Sequence, residues 1–318
     1  MSHPPFACPI CHAPLDRGAP EWRCLSCSER YRTEHGIPVL IAQRFIDSFK
    51  QTEQHFHDEL SVSAAHGSIA GRNSLFHRQF EEPMLALPPG ACVLEVACGT
   101  RVDGIEIARS GKLVTSIDLS PDAVVQAQQF AVRHTTAGTM RFAAADAEHL
   151  PFADGSFDAT FVAASFHHFP NQRAALKEMK RVTKPYGNVI WGVEPASWPY
   201  RSVYRALAPM KRIIRSRRKR KYDSIADDTT EGYTEPQIRA LFADAGLRID
   251  GIRRVKMLGE VYDSSVRLIG RLVKRPLQSS RAVNRVLARL DAAFCAVPGL
   301  NKLAWHFNVI STVPKKVT

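Results

Sequence analysis

Four of the chain's seven cysteines stand in two pairs, Cys8-Pro9-Ile10-Cys11 and Cys24-Leu25-Ser26-Cys27. Two such knuckles twelve residues apart can bring four thiolates round one tetrahedral Zn²⁺. Four thiolates leave no open coordination position, so the expected part of the metal is structural. A module of this size has too little core to fold unaided, and metal binding would supply its folding free energy. Two disulfides or a redox Cys-x-x-Cys are the other readings of the spacing. His12 and His35 are expected at the surface. Cys92 and Cys98 are expected as small buried residues, and Cys295 is left over.

The second group with chemistry in it is a turn and a carboxylate. Val93-Leu94-Glu95-Val96 runs into Ala97-Cys98-Gly99-Thr100, and the helix-like Gly104–Ser110 follows. Small residues at such a turn let the backbone approach a ligand closely. Nineteen positions after Gly99, the apolar run Leu113–Ile117 ends in Asp118. A carboxylate there can accept both hydroxyls of a ribose. A third group, His167-His168, closes the apolar run 159–166. An imidazole with an ordinary pKa near 6.5 suits a general base. One His capping the next helix and the other packing beside a ligand is the alternative.

These residues need strands to place them. Residues 141–147 read as a third strand ending at Asp146, and 159–166 as a fourth. Residues 172–182 read as a helix with Ala175, Leu176, Met179 and Val182 on one face. Strand 188–193, helix 235–245, strand 247–257 and a closing strand 306–312 complete an alternating pattern. The fold class expected is α/β, a Rossmann-like, doubly wound, seven-stranded sheet.

This order and these motifs resemble the class I S-adenosylmethionine-dependent methyltransferases, in the branch of the quinone C-methyltransferases. The resemblance covers residues 80–257 and the last strand. It implies that Glu95 and the turn Ala97, Cys98, Gly99, Thr100 hold the methionine part of the cofactor. It puts Asp118 on the ribose, Leu119 on the adenine, and Asp146 with Ala147 at the adenine's amine edge. The family's three-glycine turn is altered here, with Ala97 and Arg101 in place of the first and third glycines. A dinucleotide dehydrogenase fits less well, because no glycine stands at Arg101 or Val102 to close a pyrophosphate turn. A Rossmann-like domain without a cofactor is the remaining reading. The knuckles, Tyr31 and Gly36-Ile37-Pro38-Val39-Leu40-Ile41 resemble the small zinc-ribbon protein that activates tRNA and translation-factor methyltransferases.

The expected organisation is a zinc ribbon over 1–43, a helical linker or lid over 44–89, and a methyltransferase domain over 90–318. Insertions at 196–233 and 258–303 are expected to form a helical cap over the transferable methyl group, since ligands bind at the carboxyl ends of the strands. In the lid, Phe45, Phe49, Phe56 and Leu60 recur at helical intervals. A histidine among His55, His57, His66 and His77 could face a substrate. Tyr200, Tyr204 and Tyr233 are further candidates near the acceptor.

Charge is uneven. The net charge is +12; residues 1–199 hold 18 Lys/Arg against 21 Asp/Glu, and residues 200–318 hold 25 against 10. The insertions carry this excess, in the run Arg217-Arg218-Lys219-Arg220-Lys221 and in two basic amphipathic segments, 258–275 and 281–297. Such segments suit an anionic membrane surface, RNA phosphates or an acidic substrate. RNA fits less well, because no aromatics for base stacking are interleaved with the basic run. A helical cap whose stripe packs on the core is the simplest alternative. No apolar run approaches the roughly 18–20 residues that span a bilayer, and no secretory pattern opens the chain. The expectation is a cytoplasmic enzyme, peripheral at most to the inner face of the membrane. Its expected acceptor is a small or lipid-linked molecule. An RNA methyltransferase and a non-catalytic zinc-ribbon interaction protein are the other readings.

Overall fold

Val93, Leu94 and Val96 are buried almost completely, because their strand lies in the middle of a parallel sheet covered on both faces. In the computed structural model, residues 2–18, 21–63, 74–100, 103–134, 139–198, 201–202, 224–273, 275 and 277–315 are described. Among them, eleven strands form one sheet. They are β1 (Leu15–Arg17), β2 (Glu21–Cys24), β3 (Arg30–Glu34), β4 (Ile37–Leu40), β5 (Cys92–Val96), β6 (Leu113–Asp118), β7 (Met140–Ala145), β8 (Phe157–Ala163), β9 (Thr183–Pro195), β10 (Arg248–Val255) and β11 (His306–Thr312). Their spatial order is β1-β2-β3-β4-β7-β6-β5-β8-β9-β11-β10.

The stretch β7-β6-β5-β8-β9 is parallel, and β11 runs antiparallel between β9 and β10. The strand order turns round at β5, where β6 lies on one side and β8 on the other. That is the switch point at which doubly wound sheets bind ligands. Helix α3 (Ile105–Arg109) follows the turn after β5, and α4 (Pro121–Val132) starts directly from β6: the Ser120 side chain accepts from the Ala123 N–H, and Pro121 fills the first turn. Helix α5 (Gln172–Val182) buries Ala175, Leu176, Met179 and Val182, as its spacing predicts.

The sheet is larger than the seven strands expected. Strand β4 pairs in parallel with β7, Val39 opposite Ala144 and Leu40 opposite Ala145, and all four β4 residues are buried. The cysteine module therefore continues the α/β sheet. Without β4, β7 would present a row of unpaired backbone groups. The module is also stitched to the α/β domain by side chains. Phe6 packs on Phe152 with ring centroids 5.6 Å apart, and the Arg141 guanidinium lies 3.9 Å from the Phe6 ring centre. Two strand limits differ from expectation as well. Strand β8 ends at Ala163, and Phe166 opens a 3-10 turn, Phe166–His168. Strand β9 begins at Thr183, so Lys184-Pro185-Tyr186-Gly187 lies within it.

Helix α1 (Ser48–Ser63) lies over the carboxyl ends of the strands, and α2 (Ser74–Leu85) packs on β9 and β11. Between α5 and β10 come α6 (Ile225–Thr229) and α7 (Glu235–Asp244). Helices α8 (Leu258–Leu272) and α9 (Arg281–Ala296) pack on each other, and α9 rests on β10 and α2 at the far edge of the sheet. Arg101, the run Arg217–Lys221, Tyr200, Tyr204 and His66 lie outside the described residues. No described helix is long and apolar enough to cross a membrane.

Candidate functional site

A cleft of about 680 Å³ opens at the carboxyl ends of β5, β6, β7 and β8, with α1 over it. The turn after β5 forms its floor. Ala97 and Gly99 both have left-handed backbone, with φ of 56° and 55°. Gly99 adopts this freely; Ala97 does so against its Cβ. Nothing lies within 4 Å of where a Cβ on Gly99 would stand, so a ligand can approach the backbone there.

Glu95 does not line the cleft. Its carboxylate lies beneath the turn, accepting from the N–H groups of Asp103 and Gly104 at 2.6 and 3.1 Å and from the Ser116 hydroxyl at 2.6 Å. It shapes the turn from below, which differs from the cofactor contact that the resemblance implies. Cys98 is buried outside the lining, and burial pushes its thiol well above the usual range. Thr100 is also outside the lining.

Asp118, Leu119 and Ser120 line the wall after β6. One Asp118 oxygen accepts from the Gly99 N–H at 2.8 Å and the other from the Ser120 N–H at 2.9 Å. Each oxygen keeps acceptor capacity for a further donor. Asp146 and Ala147 line the wall after β7. Asp146 accepts from Lys50 Nζ at 2.7 Å, and Lys50 also reaches Glu148 at 2.8 Å. Burial works against both charges of this pair, yet the partners win. Asp146 is held below the ordinary carboxylate value, chiefly by His149 and Lys50, and Lys50 is held above the ordinary amine value.

The structure separates the two histidines. His168 lines the cleft, and its Nδ1 lies 2.9 Å from Glu53 Oε2. His167 is outside the lining, and its Nδ1 lies 3.1 Å from Glu194. Glu194 is fully buried, and it also accepts from the Ser165 and Phe166 N–H groups at 2.7 Å each. That makes His167 part of the turn's scaffold. Glu53 comes from α1 and also holds α6, accepting from the N–H groups of Ile225 and Ala226 at 2.6 and 3.1 Å. Burial opposes its ionisation, but the bonds from His168, Ala226 and Ser224 hold it below the ordinary value. Tyr233 is buried against Trp191 with its hydroxyl accepting from Gln172, so it stands in the core.

The lid residues went unnoticed in the sequence. Lys50, Glu53 and Asp58 reach Asp146 after β7, His168 after β8 and Ser120 after β6. Lys50, Glu53 and His57 fall at i, i+3 and i+7, one helical face, and that spacing was the available signal. His57 lines the cleft, whereas His55 is exposed. The described residues of 258–303 contribute nothing to the lining. They follow β10, the edge strand, and so stand beside the sheet, away from the cleft over which a cap was expected.

At the N-terminus the four cysteines converge. Cys8 and Cys27 sulfurs are 3.6 Å apart, Cys11 and Cys24 3.4 Å, and Cys11 and Cys27 3.7 Å. The edges of a tetrahedron with Zn–S near 2.3 Å measure roughly 3.8 Å. At Cys24 burial opposes the thiolate. The N–H groups of Cys27 and Ser26, each 3.4 Å from its sulfur, outweigh that and bring it down to about 7.

A small-residue turn, a carboxylate at the end of the next strand and a β7-β6-β5-β8-β9-β11-β10 sheet define a nucleotide-cofactor enzyme of the methyltransferase type. Comparison with known proteins agrees. The family described as "Methyltransferase domain" matches residues 94–191. A demethylmenaquinone methyltransferase of Beutenbergia cavernae is 30% identical over 178 residues, covering 54% of this chain and 71% of that protein. One of Mycobacterium tuberculosis is 35% identical over 118 residues, 36% of this chain but only 46% of the relative's length. Among solved structures, the cyclase SpnF superposes with a TM-score of 0.54 at 18% identity, covering 88% of this chain and 99% of that one. At that identity the likeness is one of fold alone. The chain belongs to the class I S-adenosylmethionine-dependent methyltransferases. The cleft fits that cofactor: open space above Gly99, unused acceptor capacity on Asp118, and Leu119 and Ala147 as apolar walls.

Proposed function

We propose that the protein methylates a small, quinone-type, lipid-linked acceptor, and that Cys8, Cys11, Cys24 and Cys27 hold a structural Zn²⁺. The observation that carries the first part is the Glu53–His168 pair on the wall of the cleft. The names of the relatives support the acceptor class. When bound, the cofactor supplies an electrophilic methyl group. Asp118 receives the ribose hydroxyls, Leu119 packs on the adenine, Asp146 and Ala147 face its amine edge, and the Ala97–Thr100 turn meets the methionine end. Glu95 acts through that turn.

The acceptor must lose a proton, because a reduced quinone carbon becomes nucleophilic when its ring hydroxyl ionises. Glu53 accepts from His168 Nδ1–H, which leaves Nε2 without a proton. Nε2 would take the hydroxyl proton, the bound cofactor would supply its methyl group to the activated ring carbon, and that carbon's own proton would pass to solvent to restore aromaticity. The α1 lid and the residues it tethers keep water from the reacting atoms. The ribbon over 1–43, the lid over 44–89 and the domain over 90–318 divide this work between fold support, closure and chemistry.

The test is transfer of a tritiated methyl group to a reduced polyprenyl naphthoquinone and, in parallel, to total bacterial RNA. Label partitioning into the organic phase, lost in His168→Gln, is expected. Label in RNA with none in the quinone would replace this reading by the RNA methyltransferase.

A further inference from the structure

Helices in soluble proteins turn their apolar face inward. The α8–α9 hairpin does the reverse. Its inner side is polar: Asp291 is fully buried and accepts from the N–H groups of Leu258 and Gly259 at 2.7 and 3.0 Å. Asn284 donates to the buried Asp263 at 3.2 Å, and Lys256 pairs with Glu260 at 2.8 Å. The fully buried apolar part of the inner side is small, Ala288 packing against Val255, with Leu258, Tyr262, Val266 and Leu287 half-buried. The outer side carries Val261, Ile269, Val283, Val286, Leu290 and Phe294, between 37% and 57% exposed. On α9 these fall at 283, 286, 290 and 294, one continuous stripe.

Charge follows the same division. Residues 258–303 contain three acids, Glu260, Asp263 and Asp291, against eight Lys/Arg. All three acids are turned inward. Arg275, Arg285, Arg289 and Lys302 are exposed, beside or at the ends of the apolar stripe. An exposed apolar face of this extent marks a contact surface. Its basic border and the absence of any acid on the outside match an anionic surface that also accepts apolar side chains.

We infer that the α8–α9 hairpin is a membrane-docking element that lies in the headgroup region of an anionic bilayer, with Val286, Leu290 and Phe294 entering the acyl boundary. The contact is peripheral, since no described helix can span. Its position past β10 leaves the cleft at β5–β8 free. This inference does not depend on the acceptor, and its readout is binding without turnover, so the two readings can fail separately.

The experiment is flotation of the full chain with phosphatidylcholine vesicles, with and without phosphatidylglycerol, alongside light scattering for oligomeric state. The wild type should float with the anionic vesicles. Arg285→Gln/Arg289→Gln should lose on the order of twenty-fold in partitioning to anionic vesicles, at about five-fold per charge, with no change on neutral ones. Val286→Asp/Leu290→Asp should lose more than about ten-fold on both. Cofactor affinity should stay at the wild-type value in both. If the Asp double variant also weakens cofactor binding, Val286→Ser/Leu290→Ser replaces it. A wild type that floats with neither vesicle overturns the inference. So does an apolar variant that floats as well as the wild type. A dimer that the apolar variant converts to monomer would assign the face to a second copy of this chain.

Discussion

His168 Nδ1 and Glu53 Oε2 are 2.9 Å apart, although the residues are 115 positions apart in the chain. The lid helix thus orients a ring that belongs to the sheet. Glu53→Gln keeps an oxygen for the Ile225 and Ala226 N–H groups but offers His168 an N–H in place of an acceptor. The ring then takes the other tautomer and Nε2 carries the proton. We expect kcat to fall by about a hundred-fold or more, with cofactor affinity unchanged and the acid limb of the pH–rate profile altered. A purely structural glutamate would lower melting temperature and cofactor affinity together and leave the profile of the residual activity as it was.

Lys50 is almost fully buried between Asp146 and Glu148. Lys50→Met should destabilise the protein by about 3 kcal/mol, because two carboxylates lose their cation. Denaturant unfolding measures it. The pH dependence has a definite sign. Asp146 is depressed, so its contribution is present above the ordinary Asp value and is lost as pH falls through its lower folded value. Lys50 is raised, so its contribution is present below the ordinary Lys value and is lost as pH rises through its higher folded value. The variant should therefore differ most from the wild type at intermediate pH, and the difference should shrink at both extremes.

Ala97 holds a φ of 56° at the turn under the cleft. An L-residue there costs about 1–2 kcal/mol, and glycine returns part of that gain through its looser unfolded state. Ala97→Gly should raise stability by roughly 0.5–1 kcal/mol. Thermal unfolding with and without S-adenosylhomocysteine would show it. A less stable variant would mean that the Ala97 methyl packs better than its backbone suffers.

Removal of metal should reach beyond the ribbon. Cys8, Cys24, Tyr31 and Leu40 belong to the same core as Leu94, Phe152 and Trp191, and β4 pairs along β7. Chelation at neutral pH should release one equivalent of Zn²⁺ and lower the melting temperature of the whole domain. Metal analysis with calorimetry reads both. Zinc loss with an unchanged enzyme transition would show that the ribbon unfolds alone.

The core strands and α5 were legible because burial on both faces writes continuous apolar runs, and a one-sided helix writes a 3.6-residue period. Val93–Val96 and the face Ala175, Leu176, Met179, Val182 are the clearest cases. The pairing of β4 with β7 was not legible, because two short apolar strands a hundred residues apart carry no mark of each other. Lys50, Glu53 and Asp58 were hidden for a different reason. A charged helix reads as solvated until its partners on the sheet are known. The amphipathic character of 258–297 was visible, but which face points inward depends on Asp263, Asn284 and Asp291 finding partners in space.

The cleft at β5–β8 should bind S-adenosylmethionine through Asp118. Titration calorimetry of S-adenosylhomocysteine against the wild type and Asp118→Ala tests it most directly. Two charge-assisted bonds of about 1.5–3 kcal/mol each are removed, so affinity should fall by a hundred-fold or more, and the loss of the acceptor for the Gly99 and Ser120 N–H groups should lower the stability of the unliganded protein by about 1–3 kcal/mol. Equal affinity in the two proteins would contradict the claim and put the cofactor elsewhere.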